Sequence, residues 1–362
     1  MEEFGSGTRG DMTGCRARTS RLLRTRVIVL ASLATVLPLT DAAAQSIADH
    51  FRGKTIRILV PSSPGGDRGL YPTVFAPFFG KHIPGNPAVV PVFMPGAGGS
   101  TAINNLYSVA APDGLTIATP LVAVATAQAV GEESVKYDAT KFNWIGRISD
   151  ATRVLLMSSQ VDAKTVPELR GREVIAGASG RTSETYLMPA FMNKVFGTKF
   201  KIVSGYQSAG KRNLAIENGE LQAAITTWND VRTYHLDWIR EGGIMRLVVQ
   251  IALKKHPELP NLPLLLDYTD NQADRDLIEF MSASSQIGQP YATSPGVPAP
   301  IVEALRRAFD ATMKDPAFIE KMQAAKIEYN PATGEEMAKI IERTITAPKS
   351  VIERYKTAVA GD

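Results

Sequence analysis

Cysteine is almost missing from this chain: of 362 residues one is cysteine, Cys15, and it lies in an arginine-rich opening stretch. A single thiol forms no intrachain disulfide, and with that stretch removed neither a thiol nucleophile nor a zinc–thiolate site is available. Histidine is scarce too. The four, His50, His82, His235 and His256, show no H-x-x-x-H or H-E-x-x-H spacing, so a metal site has no support and surface or capping roles are expected. No charge of one sign dominates, and the formal net charge is +4. The apolar run "VIVLASLATVL" has about a dozen residues, short of the ~20 that a spanning helix needs. Repeats and low-complexity segments are also lacking.

That apolar run follows six arginines, the last at Arg26, and precedes "DAAAQ", whose small residues suit an A-x-A cleavage site. The pattern predicts a secretory signal peptide over residues 1–44, cut after Ala44, with Met12 as an alternative start and the periplasm as destination. Cleavage leaves 318 residues and removes six arginines and four acids, which lowers the charge from +4 to +2. So small an excess gives no reason to expect a nucleic-acid partner. With 44% hydrophobic and 21% charged residues, the remainder can bury one large core or two moderate ones.

The order of strand, glycine loop and helix repeats along the chain. "KTIRILVP" alternates Ile56, Ile58 and Val60 on one face, stops at "SSPGGDRG", and is followed by "LYPTVFAPFFGKHI", read as a helix interrupted at Pro77. "AVVPVFMP", the loop "PGAGGST" and "AINNLYSVA" form a second such unit, and "DGLTIATP" another strand. "REVIAG", "FKIVSGY" and "LQAAITT" head three further units. Late in the chain, Ile301, Leu305, Phe309 and Met313 recur at helical spacing, and the last helical stretch is bent or split at Pro348. These features predict an α/β protein of two lobes with a cleft between them, ligands lying beyond the carboxyl ends of the strands.

Four loops are candidate sites. Ser62, Ser63, Gly65 and Gly66 sit between a strand and a helix, where free N–H groups and the helix dipole favour an anion; an ordinary turn is the bland reading. "PGAGGST", with Gly96, Ala97, Gly98 and Gly99, has the same setting but has Thr101 where a dinucleotide fingerprint needs glycine. "GASGRTSETY" offers Ser179, Thr182 and Ser183, with Arg181 as a bidentate clamp; Thr182 or Ser183 could equally cap a helix. "GYQSAGKR" nearly matches a P-loop but ends in Arg212, which has no hydroxyl for magnesium, and is read as a loop and helix start. Tryptophans are expected in the core, Trp228 excepted, because "ITTWND" ends a strand at the cleft edge. No cofactor is implied, and no nucleophile is paired with a base.

Taken in order, "KTIRILVPSSPGG", "PGAGGSTAINNLYSVAAPDGLTIAT", "GASGRTSETYL", "NGELQAAITT" and "VPAPIVEALRRAFDATMKDPAFIEKM" resemble the extracytoplasmic solute receptors of tripartite tricarboxylate transporters, or Bug receptors. The resemblance implies a periplasmic binding protein-like fold whose two α/β lobes close on a small carboxylate and deliver it to the large and small membrane subunits of such a transporter. It implies that backbone groups and ordered waters at Ser62 to Gly66 and Gly96 to Gly99 hold one carboxylate. Ser179 to Tyr186 and the strand end at Thr227 contribute from the second lobe. Two departures stand out: Arg68 and Gly69 stand where many relatives have an acidic residue nearby, and Tyr186 stands where many have histidine. Arg68, Arg181, Lys211 and Arg212 make the loops basic, which favours a di- or tricarboxylate without an amino group.

The expectation is therefore a monomeric receptor, with residues 45–153 and 284–362 in one lobe and 154–283 in the other. Its ligand contacts would be the loop residues above together with Arg68, Tyr186, Thr227 and Trp228. A periplasmic hydrolase of esters or amides, and an orphan receptor feeding a sensor kinase, are the competing readings.

Overall fold

The structure, a computed structural model, describes residues 46–62, 64, 66–181, 183–206 and 209–359. The expected signal peptide lies outside the described residues, as do Ser63, Gly65 and Thr182. After a helix over residues 46–51, the chain builds β1 (Thr55–Val60), α1 (Gly66–His82), β2 (Ala88–Phe93), α2 (Ser100–Ser108), β3 (Thr116–Ala118), α3 (Val124–Val130) and β4 (Asn143–Arg147). It then crosses to β5 (Arg153–Ser158), β6 (Glu173–Ala178), α4 (Glu184–Phe196), β7 (Lys199–Ser204), α5 (Ala209–Glu217), β8 (Ala223–Thr227), α6 (Trp228–Tyr234) and β9 (Met245–Ile251). The return runs through α7 (Gln272–Ile287), β10 (Pro290–Thr293), α8 (Ala299–Lys314), α9 (Pro316–Ala324), β11 (Ala332–Thr333), α10 (Gly334–Ile345) and α11 (Lys349–Val359).

Two sheets result, one in each lobe, with strand orders β11-β4-β10-β3-β1-β2 and β7-β6-β8-β5-β9. Both are mixed. β1 is parallel to β2 and β3, whereas β10 runs antiparallel to β3 and β4, and β5 runs antiparallel to β8 and β9. Period-two alternation sorts each strand between two apolar layers. In the first sheet Ile58, Val60, Ile145 and Tyr291 meet Phe75 and Phe309 on one face, while Leu59, Trp144 and Ala292 meet Leu106 and Ile341 on the other. In the second, Leu155, Met157 and Ile225 face α4 and α7, while Val154, Leu156 and Ala224 face α5 and α6. Pro91 is tolerated because β2 is an edge strand.

Helix α1 corrects one expectation, since it runs through both Pro72 and Pro77 from Gly66. The Thr73 hydroxyl donates to the Gly69 carbonyl one turn back at 2.6 Å, a bond that does not replace those missing at the two prolines. The split at Pro348 is as expected. Residues 349–359, which the expected boundaries assign to the first lobe, pack instead on the second: Ile352, Tyr355 and Ala358 join its core, with the Tyr355 ring 5.2 Å from that of Phe280.

Two neighbouring sets of contacts are among those that tie the lobes together. Segments 148–151 and 285–289 run side by side, with Ile148 N donating to Gln289 O at 3.1 Å, Gln289 N to Ser149 O at 2.8 Å and Ala151 N to Ser285 O at 2.8 Å. Beside them, Glu328 of the first lobe binds His256 of the second at 2.7 Å, and its N–H donates to Asn229 Oδ1 at 2.8 Å. The Lys326 carbonyl accepts from Arg232 and Thr233 of α6 at 3.1 and 3.0 Å.

Burial alone lowers the pKa of His256, but the hydrogen bond and charge of Glu328, with the charges of Glu258 and Asp150, outweigh it and the net shift is upward. Burial raises Glu328 above the usual carboxylate range, against the opposing contact with His256. Both groups therefore hold protons more tightly folded than unfolded. Their contribution is fully present below the unfolded values, about 4.3 for Glu and 6.5 for His, and is lost as pH rises through the raised ones. Thermal unfolding between about pH 5 and pH 8 is expected to show stability falling more steeply in the wild type than in His256→Gln. Parallel curves would show that this contact carries no linkage.

Candidate functional site

A cleft of about 970 Å³ opens between the lobes, within the size range of small-molecule sites. From the first lobe its wall takes Ser62 at the end of β1, Arg68 on α1, Ala97 and Gly99 of the glycine loop, Ser100 and Ile103 of α2, and Leu121 to Val124. Glu132, Ser134 and Tyr137 add to that side. Burial raises the pKa of Glu132, and burial followed by the charge of Glu132 raises that of Tyr137, whose hydroxyl donates to Val124 O at 3.1 Å.

Parallel strands β6 and β8 end at one edge of the second sheet, and the loops and helix starts beyond that edge form the opposite wall. Ser179 and Gly180 come directly after β6, Ser183 to Thr185 open α4, and Ile225 to Thr227 close β8. Ser183 occupies the N-cap position of α4, but its hydroxyl donates back to Gly180 O at 2.6 Å instead of capping the first turn. Thr185 Oγ1 accepts from Ser179 N at 3.0 Å. The loop is thus braced by its own hydroxyls. Thr227 does cap α6, accepting from Asp230 N at 3.0 Å, and Thr226 donates to Asp230 Oδ2 at 2.8 Å.

The glycine loop has an uncommon backbone. Gly96, Ala97 and Gly99 take φ of 136°, 45° and 99°, and among the described residues Ala97 shares the left-handed region with only two other non-glycine residues, Asn86 and Lys326. Such alternation turns successive N–H groups toward one side and is a recurrent anion cradle. Among the described residues Ser62 Oγ is buried without a hydrogen-bond partner.

The structure thus brings Ser62, Arg68, Ala97, Gly99, Ser179, Ser183 and Thr227 to the lining of one cleft, on its two walls. Gly66 is the first residue of α1, and Gly96 and Gly98 belong to the glycine loop, with Gly96 outside the cleft lining. Arg181 instead lines a second cavity of about 250 Å³, which shares Ala123, Ala127, Glu132 and Glu184 with the cleft and is otherwise largely apolar. Its guanidinium lies 6.0 Å from the Tyr186 ring centroid, and Tyr186 lines neither cavity.

Trp228 corrects an expectation. Its indole is buried in the α5–α6 layer, with Nε1 donating to Glu258 at 2.6 Å, so it faces away from the cleft. The histidines also depart from simple surface roles: His82 pairs with Asp315 at 2.9 Å, His235 stacks on Trp238 at 3.9 Å, His50 binds Asp113 O, and His256 bridges the lobes.

Two arginines not expected among the ligand contacts also line the cleft. Arg153 heads β5 and is ion-paired with Glu184 in the first turn of α4. Arg212 is buried on α5. A signal existed for each: Arg212 shares a helical face with Ala215 and Ile216, and Arg153 alternates with Leu155 and Met157. A cation placed on an apolar face is a functional clue. No cluster able to hold a metal occurs among the described residues, and no helix there is long and apolar enough to cross a membrane.

Residues 82–356 match the family model described as Tripartite tricarboxylate transporter family receptor. Among solved structures, a solute-binding protein of that kind from Polaromonas is 20% identical, with 83% of this chain and 99% of that one covered at a TM-score of 0.64. A Rhodopseudomonas palustris protein solved with adipate is 18% identical over 84% and 98% of the two chains, TM-score 0.62. MatC from Rhodopseudomonas palustris with bound malate is 18% identical over 85% and 100%, TM-score 0.61. At these identities the likeness shows the fold. Among curated proteins no match is found.

Proposed function

Because the chain belongs to the receptor family of tripartite tricarboxylate transporters, we infer that it captures a small di- or tricarboxylate between its lobes and hands it to the large and small membrane subunits of such a transporter. The observation that carries this reading is a single cleft with a glycine loop and unpartnered serine hydroxyl on one wall and arginines on the other. Backbone N–H groups of the glycine loop other than that of Gly99, which donates to Gly96 O at 2.7 Å, and the Ser62 hydroxyl would take one carboxylate, with Ser179 and Ser183 meeting the ligand from the second lobe. Segments 148–151 and 285–289 would serve as the hinge about which the lobes close. Adipate and malate in two structures of like fold are both dicarboxylates, which supports the substrate class. The leader at residues 1–44 would deliver the receptor to the periplasm.

The test is thermal unfolding of the purified protein against mono-, di- and tricarboxylates at millimolar concentration. A ligand present at about 100 times its dissociation constant adds ~2.7 kcal/mol to stability, so the expected result is an upward shift confined to acids with two or more carboxylates. No shift with any acid, together with turnover of chromogenic esters, would replace the receptor reading with a hydrolase.

A further inference from the structure

Arg212 is 6% exposed, yet among the described residues its Nε has no hydrogen-bond partner and it forms no ion pair. Buried polar atoms are nearly always satisfied, and an unpaired buried cation is costlier than an unpaired neutral group. Burial accordingly lowers its pKa, with Asp230 opposing the shift and the like charge of Arg153 adding to it. The acids nearby have other partners as well: Glu184 pairs with Arg153, and Asp230, whose charge acts on Arg212, accepts from Thr226 through Oδ2.

The side chain is also held in place. Its stem passes Gly177 of β6 so closely that a Cβ there would lie 3.3 Å from Arg212 Cγ. Its neighbours on the buried face of α5 are Ala215 and Ile216. An apolar residue of similar volume would suit that position better in the empty protein, because replacing a buried ion by a well-packed hydrophobic group is often neutral or stabilising. Arg212 nevertheless lines the cleft, as does Ser62 of the other lobe, whose Oγ is the other buried side-chain atom without a partner among the described residues of the lining. Each lobe thus brings one unsatisfied donor to the same cavity.

The geometry points to a second-carboxylate subsite: Arg212, with Arg153 beside it, holds the far carboxylate of a linear dicarboxylate whose near carboxylate meets Ser62 and the glycine loop. It rests on the receptor reading above and deepens it to the residues that select a dianion. A guanidinium presents a planar fork that accepts a carboxylate through two parallel N–H···O bonds. A ligand with a neutral or amino-bearing far end leaves Arg212 unpaired or sets a second cation against it, so the subsite selects dianions and rejects amino acids. Specificity of this kind arises because the wrong ligand strands a buried charge.

The experiment is calorimetric titration with succinate, glutarate and adipate, and with the monomethyl ester of whichever binds tightest. The wild type is expected to prefer the diacid over its ester by at least about tenfold, and Arg212→Met to abolish that preference while ester affinity stays within about twofold. The unliganded Arg212→Met protein is expected to melt no lower than the wild type, a readout that a merely structural arginine would reverse. Arg212→Gln, which keeps a polar group on the same stem, is the second variant and is expected to lose the preference as well. If the wild type binds the ester as tightly as the diacid, or if either variant keeps the full preference, the subsite is wrong and the receptor reading survives. If the wild type binds none of these acids or the ester, the subsite is wrong, and the receptor reading is decided by the wider panel of mono-, di- and tricarboxylates in thermal unfolding.

Discussion

Gly288→Ala is expected to lower unfolding free energy by about 2–5 kcal/mol, the sum of forcing an L residue into a left-handed backbone and of crowding a filled site. Gly288 ends α7 at φ 56° and ψ −118°. A Cβ built there would lie 1.9 Å from Ser149 O and 2.5 Å from Asp150 Cα. Both obstacles are backbone atoms, so no rotamer change relieves them. Moving the segment apart would break the bond from Gln289 N to Ser149 O and its companion from Ile148 N to Gln289 O. Those bonds join the two crossings between lobes, so the damage falls on the proposed hinge as well as on stability. Urea unfolding of Gly288→Ala beside Gly131→Ala checks the argument, because Gly131 has φ 73° but nothing within 4 Å of its missing Cβ. The control should cost about 1–2 kcal/mol, the backbone share alone. Equal losses in the two variants would show that the close approach contributes nothing.

Much of the first sheet was legible in the sequence because its strands alternate cleanly and end in glycine loops. Ile58 and Val60 pack on one layer and Leu59 on the other, and the loop after β1 leads directly into α1. Helix α8 was legible for the same reason: Ile301, Leu305, Phe309 and Met313 are buried together. The antiparallel members were harder. β4 and β5 are short apolar runs without flanking glycine loops, β9 follows Gly242 and Gly243, and the direction of all three depends on partners far along the chain, such as β10 for β4. The α1 prolines suggest a break that the helix absorbs, since a local rule about a missing N–H yields to packing of Phe75 and Phe79 in the core.

The site was legible as loops but less so as side chains. The glycine-rich and serine-rich stretches reach one cleft, whereas Trp228, which its strand-end position would put at the cleft edge, turns into the core because Glu258 lies behind it to accept the indole N–H. Arg153 is hidden because it stands at the start of a strand, away from the glycine loops that mark the site. Arg212 is hidden as a ligand contact because its motif resembles a failed P-loop. What distinguishes it, a buried arginine whose Nε has no hydrogen-bond partner among the described residues, is a property of the folded chain.

Gly99→Ala is the second substitution expected to act strongly, and its effect should divide between stability and binding. Gly99 is the N-cap of α2 at φ 99° and ψ −9°, and a Cβ there would meet Leu121 Cδ1 at 2.4 Å and Cγ at 2.8 Å. Here the obstacle is a side chain, so two escapes exist. The loop can change conformation, which dismantles the Gly96–Gly99 cradle, or Leu121 can turn aside, and Leu121 lines the same cleft. Either route costs about 2–3 kcal/mol of stability and removes part of the binding surface, so affinity for the best carboxylate should fall at least about tenfold. Leu121→Ala in the Gly99→Ala background separates the two causes, since it removes the clash but leaves the backbone demand. Partial recovery of stability without recovery of binding is expected, a coupling that a double-mutant cycle measures directly. Full recovery of binding in the double variant would mean that the loop's left-handed backbone is immaterial to the ligand and that Leu121 alone shapes the site.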